Sequence, residues 1–226
     1  MAVTFVRAME TNGIIATPKH FIANVGDGGR DSYRIDFDAR LLDELFFPPF
    51  EASIQQGHAG SVMSSYNSVD GSPASQNHAL LTNKLRDDWG FSGLVISDAA
   101  AVGGATVLHH TEATTATSTR DALEAGLDVI FQSSYEQHRP YLDAFRRGTI
   151  AGSTINAAVA RVLRAKFEFG LFEHFYVDHV AAQRARSASP PQRPQHCRHR
   201  RRRRRDATRR LQRRGHRENF HRRRRS

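Results

Sequence analysis

The sequence predicts an α/β fold, a partial TIM-type (β/α) barrel of about four units followed by a basic tail. Three observations predict it. Short apolar runs rich in β-branched residues recur four times: Ile14-Ile15-Ala16-Thr17, Ser61-Val62-Met63, Leu94-Val95-Ile96 and Leu127-Asp128-Val129-Ile130-Phe131. Segments with helical apolar spacing separate them, and that alternation gives parallel strands joined by helical crossovers. After residue 178 the periodicity disappears and arginine takes over. A complete eight-fold barrel takes about 250 residues, so residues 1–178 supply roughly half of one.

The elements follow in order. Val3, Val6 and Glu10 lie at helical spacing, and Asn12-Gly13 closes that helix. The first strand, 14–17, ends in Pro18-Lys19-His20-Phe21. A polar loop then runs from Asn24 to Arg34; its Gly26-Asp27-Gly28-Gly29 fits neither phosphate-binding fingerprint and reads as a loop over a site. Leu41, Leu42, Leu45, Phe46, Phe50 and Ile54 form an apolar helical face, which Pro48-Pro49 is expected to kink or split. The second strand ends near Tyr66 and is followed by turn residues 67–73. Leu80, Leu81, Leu85 and Trp89 mark the next helix. The third strand stops abruptly at Ser97-Asp98, and a small-residue loop is expected over 99–106. A helix closing near Ala125, the fourth strand at 127–131, and two helices split at Gly148 complete the pattern.

Charge divides the chain. The net charge of +10 averages two unlike parts: residues 1–178 hold 14 Lys and Arg against 21 Asp and Glu, whereas residues 179–226 hold 19 Arg against Asp206 and Glu218. Cys197 is the only cysteine, which excludes an intrachain disulfide and a cysteine metal cluster. No cofactor or metal is expected. The start has no basic segment followed by a long apolar one, so no signal peptide is expected, and no run approaches a membrane span. The chain as given reads as soluble.

The chemistry concentrates at strand ends. In parallel α/β folds the C-terminal strand ends face the ligand site. Three strands end in polar side chains there: Lys19-His20, Tyr66 and Asp98. Asp98 suits attack on an anomeric carbon, with Lys19 and His20 binding hydroxyls and Tyr66 flanking the sugar. The competing expectation is local: Asp98 caps the next helix, Lys19 is solvated, His20 is a structural histidine and Tyr66 is packing.

Taken together the residues resemble glycoside hydrolase family 3, in its β-glucosidase-like part. The resemblance is carried by Ala16-Thr17-Pro18-Lys19-His20-Phe21, by Ser61-Val62-Met63-Ser64-Ser65-Tyr66-Asn67 through Pro73, and by Leu80-Leu81-Thr82 through Leu85-Arg86. It continues at Trp89-Gly90-Phe91-Ser92-Gly93-Leu94-Val95-Ile96-Ser97-Asp98, then Gly170-Leu171-Phe172-Glu173 and Tyr176-Val177-Asp178. It covers residues 1–178 and implies the C-terminal half of the family's N-terminal barrel domain. It further implies a retaining glycosidase acting on terminal non-reducing β-D-glucosyl or β-D-xylosyl residues, with Asp98 as nucleophile and Lys19, His20 and Tyr66 at the sugar. The implied partner is a β-linked oligosaccharide or glycoside.

Two departures bear on activity. Ile22-Ala23-Asn24-Val25 and Asp31-Ser32-Tyr33 stand where the β-N-acetylglucosaminidase branch carries Pro-Gly-His-Gly and Asp-Ser-His, which favours the glucosidase or xylosidase branches. The resemblance also implies an acid/base glutamate from a downstream second domain and sugar-gripping residues from earlier strands, and this chain matches neither. Glu112 and Glu124 carry no motif for that role. Weak or absent activity is therefore expected.

The tail, 179–226, is Arg- and Pro-rich and of low complexity, with seven arginines between Arg198 and Arg205 broken only by His199. Such composition cannot bury a core. It fits a frameshifted, truncated product of a GC-rich gene; a genuine basic tail binding nucleic acid nonspecifically is the alternative.

Overall fold

The computed structural model describes residues 1–25, 34–132, 134–176, 178–180 and 183–184. It separates into two units, Met1–Phe175 and Tyr176–Ser226. In the second, the Val180 amide donates to the Asp178 carboxylate at 2.8 Å. The Gly26–Asp31 loop and the arginine run lie outside the described residues.

The first unit is a mixed α/β fold built on a parallel sheet. Helix α1 (Ala2–Glu10) leads into an extended segment, 14–21. Strand β2 (Ser61–Met63) lies beside it: the Ser61 amide donates to the Ala16 carbonyl, Met63 to Pro18, and Phe21 back to Met63. Strand β5 (Leu94–Ile96) pairs with β2 in parallel, Val62 opposite Val95. A fourth segment, 127–131, joins β5 through the parallel bridge Ile96–Val129. Of the four expected strands, only the middle two form ladders; 14–17 is joined to β2 by backbone hydrogen bonds and 127–131 to β5 by a single parallel bridge. A smaller sheet pairs β1 (Arg34–Ile35) with β3 (Ser68–Val69) and β3 with β4 (Ser72–Pro73). Asp70 and Gly71, both with positive φ, make the hairpin turn between β3 and β4, as Asp-Gly pairs do.

The core lies on the helix side of the sheet. Val62 and Val95 are fully buried there with Leu81, Leu85 and Leu127. Phe21 is fully buried too, ringed by Phe47, Phe50 and Trp89 at centroid distances of 6.3, 5.1 and 5.9 Å. Burying one such ring is worth about 1.5–3 kcal/mol, which anchors the segment that carries His20.

One expectation about local structure is met in a specific form and one is corrected. The helical stretch is divided just before Pro48-Pro49: α2 (Ala39–Leu41) widens into a π-helical stretch, Leu42–Phe46, and α3 (Phe47–Gln55) begins beyond it. The prolines then fall in the first turn of α3, where a missing N–H costs nothing. The small-residue span after Asp98 is a helix, α4 (Ala101–Val107), not a loop. Alanine favours helix, and Gly103 makes room for Tyr141, whose hydroxyl would sit 2.6 Å from a Cβ added there. Tyr141 belongs to α6 (Tyr135–Arg146), which follows α5 (Thr115–Glu124) and precedes α7 (Gly152–Glu168).

The starting ends of the strands are stitched by carboxylates. One oxygen of Glu10 accepts from the amides of Ala16 and Gly60, at 2.7 and 2.8 Å. Asp128, its side chain fully buried, accepts from Val95 N–H at 2.8 Å, Arg86 Nη2 at 2.8 Å and Arg161 Nε at 2.6 Å. Three separate elements therefore converge on Asp128: a second π-helix (Ala79–Asp88), β5 and α7. Burial holds the Arg86 guanidinium below its ordinary pKa, with Asp128 opposing that effect.

Candidate active site

Asp98 sits at the C-terminal end of β5, where a buried strand delivers it to the sheet's upper rim. Its backbone is fixed from both sides. The Ser97 hydroxyl donates to the Asp98 carbonyl and accepts from the Phe131 amide, each at 2.9 Å. The side chain does not cap α4, whose N-cap is Ala100, in the left-handed region at φ 64°.

Three donors surround the carboxylate. Oδ1 accepts from the Tyr66 hydroxyl at 3.0 Å and from the Ala99 amide at 2.7 Å. Oδ2 lies 3.0 Å from His20 Nε2. Asp98 as a whole is 8% exposed, so its orientation rests on these donors rather than on bulk water.

Each partner is positioned by the fold. His20 immediately precedes the buried Phe21, and the Lys19–His20 and Phe21–Ile22 peptide bonds are cis. Tyr66 follows β2, on a segment tied to its neighbour by Ser65 N–H to the Phe21 carbonyl and by Asn67 Nδ2 to the Ile22 carbonyl. Beyond α4, the imidazole of half-buried His109 reaches back, Nε2 lying 2.7 Å from the Tyr66 carbonyl. A carbonyl only accepts, so that nitrogen carries the proton. Sequence reasoning missed His109, because nothing in its local pattern marks a contact to a residue so far back in the chain.

The structure thus brings His20, Tyr66 and Asp98 together. Lys19 is exposed and borders an apolar groove between α1 and α3; among the described residues it makes no hydrogen bond to Asp98. Glu124 is exposed, within 4.0 Å of Arg120 on its own helix, and Glu112 is half-buried just beyond α4. Neither is hydrogen-bonded to Asp98. Among the described residues no cluster of three or more His, Cys, Asp or Glu could hold a metal ion.

The family model for the glycosyl hydrolase family 3 N terminal domain matches residues 1–165. The chain belongs to glycosyl hydrolase family 3. It is 33% identical over 173 residues to a beta-glucosidase of Rhizobium radiobacter, covering 76% of this chain and 19% of that protein. It is 32% identical over 166 residues to a putative beta-xylosidase of Formosa agariphila, covering 72% of this chain and 22% of that protein. Among solved structures, a beta-glucosidase involved in saponin metabolism from intestinal bacteria superposes with a TM-score of 0.68 at 31% identity, over 76% of this chain and 24% of that one. A family 3 exo-beta-xylosidase bound to a xylobiose aziridine probe gives 0.70 at 27% identity, over 78% and 24%. The chain therefore spans less than a quarter of the length of each of these four proteins.

Proposed function

We propose that residues 1–178 are the C-terminal half of a (β/α) barrel and act on β-D-glucosides or β-D-xylosides by a retaining mechanism. Asp98 is the nucleophile in this reading. The observation that carries it is the Asp98 carboxylate at a strand's C-terminal end, fixed by Tyr66, His20 and the Ala99 amide. A carboxylate oxygen attacks the anomeric carbon, and the bond to the leaving oxygen breaks with its electron pair. Tyr66 and Ala99 hold Oδ1, which orients Oδ2 and His20 toward the sugar. Lys19 joins the site only if its side chain swings over the rim. The arginines of residues 179–226 bind polyanions nonspecifically in this reading.

A retaining glycosidase pairs its nucleophile with an acid/base carboxyl about 5–5.5 Å away. Nothing supports Glu112 or Glu124 in that role. The chain is therefore weakly active or inactive on natural disaccharides, since loss of general acid catalysis costs about 10²–10⁴-fold. An activated aryl glycoside releases its aryloxide without protonation, and its sugar still glycosylates Asp98. The test is intact-mass spectrometry after incubation with dinitrophenyl 2-deoxy-2-fluoro-β-glucoside, beside Asp98→Ala. A sugar adduct on the parent alone supports the assignment. Equal labelling of both, or an adduct on another carboxylate, defeats it; labelling of neither defeats the claim that this chain forms the site.

A further inference from the structure

We propose, resting on the reading of Asp98 as nucleophile, that His109 is a positioning residue: it clamps the Tyr66 main chain so that the phenol meets Asp98 Oδ1. The chain makes a closed circuit here. From Asp98 it runs through Ala99 and Ala100 into α4, then past Leu108 to His109. His109 Nε2 donates to the Tyr66 carbonyl at 2.7 Å, 43 residues back in the chain. The Tyr66 hydroxyl closes the circuit on Asp98 Oδ1 at 3.0 Å. Both ends of α4 are therefore coupled to one carboxylate oxygen. The first end acts through the Ala99 amide, the second through His109 and Tyr66.

The platform that carries His109 is well anchored. Val102 and Ala105 of α4 are fully buried. The His109 amide donates to the Gly104 carbonyl at 2.9 Å, and the Thr111 amide to Ala105 at 2.9 Å. The Thr106 hydroxyl shares a 2.8 Å hydrogen bond with Ser118 on α5. Directly after the imidazole the chain turns at His110, whose φ of 54° is seldom adopted by a residue with a Cβ. The loop thus spends an unfavourable conformation beside the one side chain that reaches back to β2's far end.

Tyr66 is where a clamp has leverage. It lies beyond the last ladder pair of β2, Met63 with Ile96. Its phenol oxygen stands on the order of 6 Å from its own Cα. A main-chain tilt of about 10° then carries that oxygen by about 1 Å. Along the bond, that takes a 3.0 Å contact out of hydrogen-bonding range. Satisfying the Tyr66 carbonyl alone does not call for a histidine, since water does as much for a half-buried carbonyl. An imidazole on an anchored loop adds what water lacks, a fixed place.

The test sets His109→Leu, which keeps bulk and loses the donor, beside His109→Gln, whose side-chain amide still reaches the carbonyl. The readout on the full chain is Asp98 labelling by dinitrophenyl 2-deoxy-2-fluoro-β-glucoside. His109→Leu is expected to lower the maximal labelling rate about tenfold, the worth of one hydrogen bond, with the half-saturating concentration unchanged. His109→Gln is expected to keep the parent rate. Added to Tyr66→Phe, His109→Leu should cost less than about twofold more, because both changes break one chain of contacts. The same tenfold loss in both backgrounds, a Gln variant as slow as the Leu variant, or a lowered melting temperature with an unchanged rate each overturns the clamp. Should His109→Leu lose the parent's far-ultraviolet circular dichroism, His109→Asn, whose shorter amide stops short of the carbonyl, is measured in its place. An unlabelled parent defeats Asp98 as nucleophile, and the clamp is then read by nuclear magnetic resonance with isotope-labelled tyrosine. His109→Leu should move the Tyr66 ring-carbon resonance toward its position in Asp98→Ala, while His109→Gln leaves it in place; a resonance unmoved by either overturns the clamp.

Discussion

Two aspartates mark the two ends of the parallel sheet, and their surroundings differ in kind. Asp128, at the starting end, is gripped by two guanidinium groups and a backbone amide, with its side chain wholly out of water. Asp98, at the finishing end, is held by a tyrosine hydroxyl, an imidazole and one amide. Two guanidinium groups and full burial of the side chain close Asp128 off from any substrate. Neutral donors and an imidazole hold Asp98 at the rim instead, the setting in which the nucleophile role proposed above is placed. The two carboxylates accept equal numbers of hydrogen bonds and differ in the nature of their partners.

That contrast can be broken most sharply at Asp128. Asp128→Ala leaves half-buried Arg86 and Arg161 without their counter-charge, and losing one member of a buried ion network costs up to about 3–5 kcal/mol. Urea unfolding should register that loss, and an unchanged midpoint would show that Asp128 is not the fastener described.

A smaller effect is expected at the other end. Tyr66→Phe removes one hydrogen bond to a charged acceptor, worth about 1.5–3 kcal/mol, or roughly 10- to 100-fold in the rate of Asp98 labelling. Melting temperature should hardly move. Equal losses of rate and stability would make Tyr66 packing rather than part of the site.

A third measurement concerns Tyr141, whose hydroxyl accepts from Gln132 beneath α4. Burial raises its phenol pKa above the ordinary value of 10.0. Below that value both folded and unfolded chains are neutral there. Above it the unfolded chain ionises first, so stability falls as pH rises past about 10. Tyr141→Phe should flatten that slope, seen as denaturation midpoints compared between pH 9 and 11.

The smallest effect sharpens the contrast from the functional side. Asp98→Asn keeps the shape of the group and removes its charge. Its stability should stay within about 1 kcal/mol of the parent, since working residues are seldom placed for stability. A loss as large as that at Asp128 would mean that the rim carboxylate is structural.

Much of this was readable in the chain. The runs around Val62, Val95 and Val129 announced parallel strands because such strands are buried on both faces. Strand-end chemistry then pointed to His20, Tyr66 and Asp98, which the fold brings together. Asp128 was hidden inside an apolar run, where its charge looked like an interruption; its partners Arg86 and Arg161 come from distant elements. The helix α4 was hidden by its own composition, since Gly103 and Gly104 suggest a loop until Tyr141 is seen against the first of them. Asp70-Gly71 did carry a hairpin signal, although it gave no hint that β3 would pair with β1.

The wide turn at Leu42–Phe46 also sets how this region tolerates changes in chain length. A π turn is a helical turn carrying one residue more than an α turn. Deleting one residue between 43 and 45 converts it to an ordinary turn, still a single turn, so the residues on either side keep their faces. Leu42, Phe47 and Ile54 would all keep their places in the core. The helix thus holds a residue it can lose without turning its packing face.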